Sequence, residues 1–250
     1  MILRIINIFF ICSLALSSLA QQDSLFVKGI ESLSKGETEQ AVDYFKADVA
    51  ITPSYESYYN LSLSYLELED WEGAFWAAEE ALKWNPSSRI AIDNAKSALE
   101  NLESDTSWKH PYSWTKRIII AVPLGFWYSL AMISALLIAF FIFNLITKGK
   151  AFRFYNYRYL LLIFGVVFVL SLVNGAIVNN HFTSPSFVYA KEQNQPLYAS
   201  QNGIVLKQTL KLGNRYRILK IGEEWVKVKY HDNQPVWVPK SAVFMDQSID

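Results

Sequence analysis

Asn60-Leu61-Ser62-Leu63-Ser64-Tyr65, continuing through Leu66-Glu67-Leu68-Glu69-Asp70-Trp71 to Ala74, Ala78, Ala81 and Asn85-Pro86, decides how this chain is read. Small residues at Ala74, Ala78 and Ala81 let a second helix settle closely against a first. Tyr65 fills the gap between the two, and Pro86, which lacks a backbone donor, stops the second helix. The pattern has an upstream echo: Ala41, Phe45 and Pro53 precede Ala74, Ala78 and Pro86 by 33 residues each. A period of that length marks stacked helical hairpins.

The complete unit resembles the tetratricopeptide repeat. Upstream, Gly29, Gly36, Ala41, Phe45 and Pro53 fit the same pattern, while Asp48 stands where it wants a small apolar residue. Downstream, Ile90–Leu102 carries Ile92, Ala95, Ala98 and Leu99 at helical spacing and reads as a closing helix. Residues 21–107 are therefore expected to form an all-α solenoid lobe of two units and a cap. Such stacks leave a concave groove for peptides or helices. Tyr59, Leu63 and Leu66 lie on the stripe opposite Leu61, Ser62 and Tyr65 and are the groove candidates. The alternative is that they contact only adjacent helices. Trp71, Trp76 and Trp84 read as packing residues.

Residues 1–20 read as a secretory signal: Arg4 at the start, Ile5–Leu16 apolar, then Ser18-Leu19-Ala20 flanking a cleavage point. An uncleaved anchor would send the next residues across the membrane equally well. Cys12, the one cysteine, lies inside this run, so the compartment follows from targeting rather than from disulfides. After a linker over 108–117, Ile118–Ile146 is uncharged and exceeds the roughly 30 Å hydrocarbon core, so a break at Pro123 is expected, with Trp127–Ile146 spanning. Tyr159–Val178 supplies a second span. The loop between them, 147–158, carries Lys148, Lys150, Arg153 and Arg158 with no acid, which places it on the cytoplasmic side. Lys116 and Arg117 weaken that argument, and the signal decides it: both ends of the mature chain face outward. Neither span carries an ionisable residue, which disfavours ion transport. Ala131, Ala135 and Ala139, like Ser171 and Gly175, make smooth faces suited to close helix packing.

Residues 179–250 change to strand signals. Tyr216–Ile221 and Trp225–Tyr230 flank the turn Gly222-Glu223-Glu224, and Val236-Trp237-Val238-Pro239 follows. With Pro196-Leu197-Tyr198, Ile204-Val205-Leu206 and Leu212-Gly213, the order is similar to a bacterial SH3-like domain, with Val236 where that family usually has glycine. A small all-β barrel is expected. The resemblance implies binding of cell-wall peptides or protein segments through aromatic surfaces, to which Tyr198 and Trp225 would contribute unless they fill the core.

The chain's formal charge is zero, but 21–107 carries 17 Asp and Glu against 6 Lys and Arg, whereas 182–250 carries 9 Lys and Arg against 6 acids. The acidic lobe repels nucleic acid. His110, His181 and His231 have no metal-ligand spacing, and there is no phosphate loop or nucleophile elbow. The acids of the repeat lobe read as scattered over solvated helix faces. No catalytic, cofactor or metal site is expected, and the chain reads as a non-enzyme.

Taken together, signal, repeat units, two spans around a basic loop and SH3-like domain resemble the BatE family of the Bacteroides aerotolerance operon. That resemblance implies a multidomain, two-pass inner-membrane protein with both lobes periplasmic. It implies partners among von Willebrand factor A-type membrane proteins and a MoxR-type ATPase system, and a link to oxygen tolerance or envelope stress. The expected function is a non-catalytic adaptor in contact with membrane lipid. The alternative is a peptidoglycan-binding module working through the SH3-like domain.

Overall fold

Tyr65 and Gly73 meet at the centre of the helical region. A Cβ on Gly73 would come 2.8 Å from the Tyr65 ring, so only glycine admits the tyrosine at this crossing. Gly29 does the same for the preceding hairpin, where an added Cβ would lie 2.6 Å from the Phe45 ring. These contacts sit in a stack of five helices: α1 (25–34), α2 (Thr38–Ile51), α3 (Tyr55–Glu67), α4 (Trp71–Trp84) and α5 (Arg89–Asn101). The computed structural model describes residues 25–102, 107–148, 157–183, 187–201, 203–230 and 234–245. Residues 1–20, expected to be a signal, residues 149–156 of the basic loop and His231 lie outside them.

Three of the helix starts have a local cause. Ser54, Asp70 and Ser88 precede α3, α4 and α5, and their side chains accept from the backbone N–H of Ser57, Gly73 and Ala91. Ala41, Ala74, Ala78, Ala81, Ala91, Ala95 and Ala98 are all fully buried, which lets the helices pack closely. Polar residues add register: Tyr55 and Ser88 share a hydroxyl bond of 2.7 Å, and Asn94 donates to Ser62 at 2.9 Å. Asp48, out of place in the repeat pattern, is buried and accepts from the Ser57 hydroxyl. The acids do not all lie on solvated faces as expected. Asp48, Glu79 and Glu80 are buried, because α4 is covered on more than one side and Asp48 faces the next hairpin.

The C-terminal region is a sheet of β1 (Phe187–Ala190), β2 (Gln195–Tyr198), β3 (Val205–Leu210), β4 (Tyr216–Ile221), β5 (Trp225–Lys229), β6 (Pro235–Pro239) and β7 (Val243–Phe244). It is antiparallel with order β3-β2-β6-β5-β4-β1-β7. Alternation drives its core: Val226, Val228, Val236 and Val238 point inward and are buried, opposite Val188, Leu197 and Leu210. Val236 pairs with Val228 inside a strand, so the position needs a branched apolar residue. The β4–β5 turn closes with Gly222 N–H donating to the Trp225 carbonyl at 2.8 Å.

The helices α1–α5 and this sheet belong to one compact unit, and Tyr112–Ser184 forms a second. In the second, α6 (Trp114–Ile120) stops short of Pro123, and α7 (Leu124–Lys148) packs against α8 (Tyr157–Thr183). Both α7 and α8 are long and apolar enough to cross a membrane. Phe141 and Phe164 stack across the pair at 5.8 Å. Ala131, Ser134 and Ser171 are buried there, and Gly175 lies against Tyr128. Ala139 is exposed. Steps of four residues drift about 40° each on a helix, so Ala139 has rotated about 80° from Ala131. Asn144 donates to the Phe140 carbonyl at 2.8 Å, which gives one of its amide donors a partner within its own helix. Tyr112 packs edge-on to His181 at 4.9 Å, and Lys116 sits over the Tyr112 ring.

Candidate functional site

Helix α4 is buried almost all round, with Phe75, Trp76 and Leu82 buried as well as its alanines and even Glu79, Glu80 and Lys83, which requires cover on both sides. The second cover is the sheet. Trp76 stacks on Phe244 of β7 with ring centroids 5.1 Å apart, and Phe75 meets Tyr189 of β1 edge-on at 5.7 Å. Beside the Phe75–Tyr189 contact stands a buried ion pair. Arg215, in the turn before β4, donates from Nε and Nη2 to the two carboxylate oxygens of Glu79, the second bond measuring 2.8 Å. Trp108 donates to the same carboxylate at 2.8 Å, and Arg215 also donates to the Lys109 carbonyl. The Glu79 side chain is fully shielded and that of Arg215 is 18% exposed. Forked geometry plus an indole donor satisfies a charge that burial would otherwise penalise by several kcal/mol.

Beside this seam lies a cleft of about 550 Å³. One wall comes from α2–α4, with Lys46, Tyr65 and Trp76; the other comes from the sheet and its 3₁₀ turn (Lys240–Ala242), with Lys191, Lys240 and Phe244. Among the described residues, no Asp or Glu lines it. Lys46 Nζ stands 5.3 Å from the Tyr65 ring centre, and Lys191 Nζ stands 5.5 Å from that of Phe244 while donating to the Ser241 carbonyl at 3.0 Å. Burial, then the Lys46 charge, holds the Lys191 ammonium below the usual lysine range. Burial pushes the Tyr65 hydroxyl up, with Asp70 and Asp43 adding to it. The Tyr65 hydroxyl and Trp76 Nε1 are buried and have no hydrogen-bond partner among the described residues. Leaving such groups unsatisfied costs about 1–3 kcal/mol each.

The groove candidates from the sequence sit elsewhere. Tyr59, Leu63 and Leu66 are all partly buried; Tyr59 stacks on Tyr55 at 5.8 Å, and Tyr59 and Leu66 pack on the helical core. Tyr198 and Trp225 are brought together edge-on at 4.9 Å, both partly buried, on β2 and β5. His110 donates to the Pro86 carbonyl at 2.8 Å, and among the described residues no group of His, Cys, Asp and Glu is placed to hold a metal. Sequence reasoning missed Glu79, Arg215 and the three cleft lysines. The available signal was the unbroken run Ala74-Phe75-Trp76-Ala77-Ala78, which puts apolar side chains on more than one face of α4 and so points to a second partner surface. Comparison with protein-family models, curated proteins and solved structures gives no match.

Proposed function

We propose that this chain is a non-catalytic membrane-anchored adaptor, in which α1–α5 and the sheet form one binding head and α7–α8 anchor it. The observation that carries the reading is the Glu79–Arg215 pair. It joins residues that precede the apolar helices to residues that follow them, so both lie on one side of any bilayer those helices cross. An even number of crossings is the topology such an anchor needs. The signal-like N-terminus and the basic 147–158 segment favour the outward, periplasmic side. The tetratricopeptide-like and SH3-like patterns, and the likeness to the BatE family, favour partners among von Willebrand factor A-type membrane proteins and a MoxR-type ATPase system. Crosslinking in intact cells, followed by detergent purification and mass spectrometry, tests this. Recovery of membrane-protein partners on the head is expected, and recovery of the chain alone would overturn it.

A second reading, peptidoglycan binding through the sheet, is favoured by the half-buried Tyr198–Trp225 pair. Retention of the full chain on purified peptidoglycan, lost in Trp225→Ala, would support it.

A further inference from the structure

We infer that the cleft between α2–α4 and the sheet binds the C-terminal carboxylate of a partner polypeptide whose last side chain is apolar. The inference rests on the adaptor reading and names the chemistry by which the head takes its partner. Charge is the first argument. Lys46, Lys191 and Lys240 come from three separate elements and converge on a cleft that no described carboxylate lines, although the helical region as a whole is strongly acidic. Lys46 and Lys191 lie close enough to repel, and an anion placed between them relieves that repulsion.

Hydrogen-bonding capacity is the second argument. Lysine only donates, so the three ammonium groups give the cleft donors in excess. Its occupant must bring acceptors. A carboxylate supplies two oxygens and up to about four acceptor positions, without a donor of its own. An internal stretch of peptide would bring only neutral carbonyl acceptors, each matched by a backbone N–H, and would leave the lysine charges unpaired.

Apolar surface is the third. Trp76 and Phe244 present stacked rings, and the Val49, Val243 and Met245 side chains line the same space. A bare inorganic anion leaves those walls uncovered, and a chain end with an apolar last residue covers them while offering its carboxylate to the lysines. The cleft's volume falls within the range of sites that enclose ligands of a few residues.

The test uses the full chain in lipid nanodiscs and a fluorescein-labelled hexapeptide pool, random except for a final leucine, made with either a free or an amidated C-terminus. Fluorescence anisotropy should show the free acid binding about tenfold more tightly than the amide, the scale of one lost charge-assisted interaction. Lys46→Gln and Lys191→Gln should each erase most of that preference without lowering the unfolding temperature. Equal binding of acid and amide, or a preference that survives in the double lysine variant, would overturn the assignment. So would displacement of the peptide by an equal concentration of inorganic phosphate. Partners still crosslinked in cells without any free-acid preference would remove this site and leave the adaptor standing. An intact preference with no crosslinked partner would do the opposite.

Discussion

Arg215 holds Glu79 by two parallel hydrogen bonds across 136 residues of sequence, with the Glu79 side chain wholly shielded from solvent. The energetic asymmetry of such a pair yields a sharp expectation. Arg215→Ala strands a buried carboxylate and should cost about 3–5 kcal/mol, whereas replacing both partners, as in Glu79→Leu with Arg215→Met, should cost less, retaining mainly the roughly 1–3 kcal/mol of a Trp108 N–H left without its acceptor. Denaturant unfolding followed by tryptophan fluorescence separates these outcomes. Equal losses in the single and double variants would mean the pair does not act as a unit.

Arg215→Lys should recover only a fraction of the loss, because an ammonium cannot make the forked contact.

Glycine positions give an internal control. Gly29→Ala and Gly73→Ala push a Cβ into the Phe45 and Tyr65 rings, and each should destabilise the head by roughly 1–3 kcal/mol. Gly165→Ala in α8 meets nothing within 4 Å and should be neutral or slightly favourable by helix propensity. Thermal unfolding of the three variants in the same detergent checks the ordering.

Tyr65 predicts a pH effect. Its folded pKa is raised, so its contribution to stability is fully present below the unfolded value of about 10 and is lost as pH rises from there through the folded value. Tyr65→Phe removes the titrating group along with an unpartnered hydroxyl. Stability near neutral pH should be unchanged or higher, and the alkaline loss above about pH 10 should flatten. Unfolding temperatures between neutral and alkaline pH measure both.

Topology is directly accessible. Reporter fusions after residue 100 and at the C-terminus should give the same signal, since Glu79 and Arg215 must meet on one side, and the proposed outward orientation makes it the exported one. Opposite signals would be incompatible with that contact.

The helical stack was legible in Ala41, Phe45, Ala74, Ala78 and Pro86, because close helix packing restricts which side chains fit and the restriction repeats. The strands were legible in alternating valines and in the Gly222 turn, and the helix break at Pro123 in its missing donor. Glu79 was not, because an acid on an acidic helix looks solvated until its cation, encoded after both apolar helices, is placed. Lys46, Lys191 and Lys240 fail for the same reason: their proximity is a property of the seam and of no local period. Ala139 fell off the packed face through accumulated helical drift, which counting by fours ignores.

The seam also sets a timetable for biogenesis. Phe75 and Trp76 emerge long before β1 and β7 exist, and at about 5–20 residues per second the ribosome needs roughly 7–27 s to add the 136 residues separating Glu79 from Arg215. Throughout that interval the nascent helices display a bare aromatic face, a surface that a holding chaperone is suited to cover until β1 and β7 arrive.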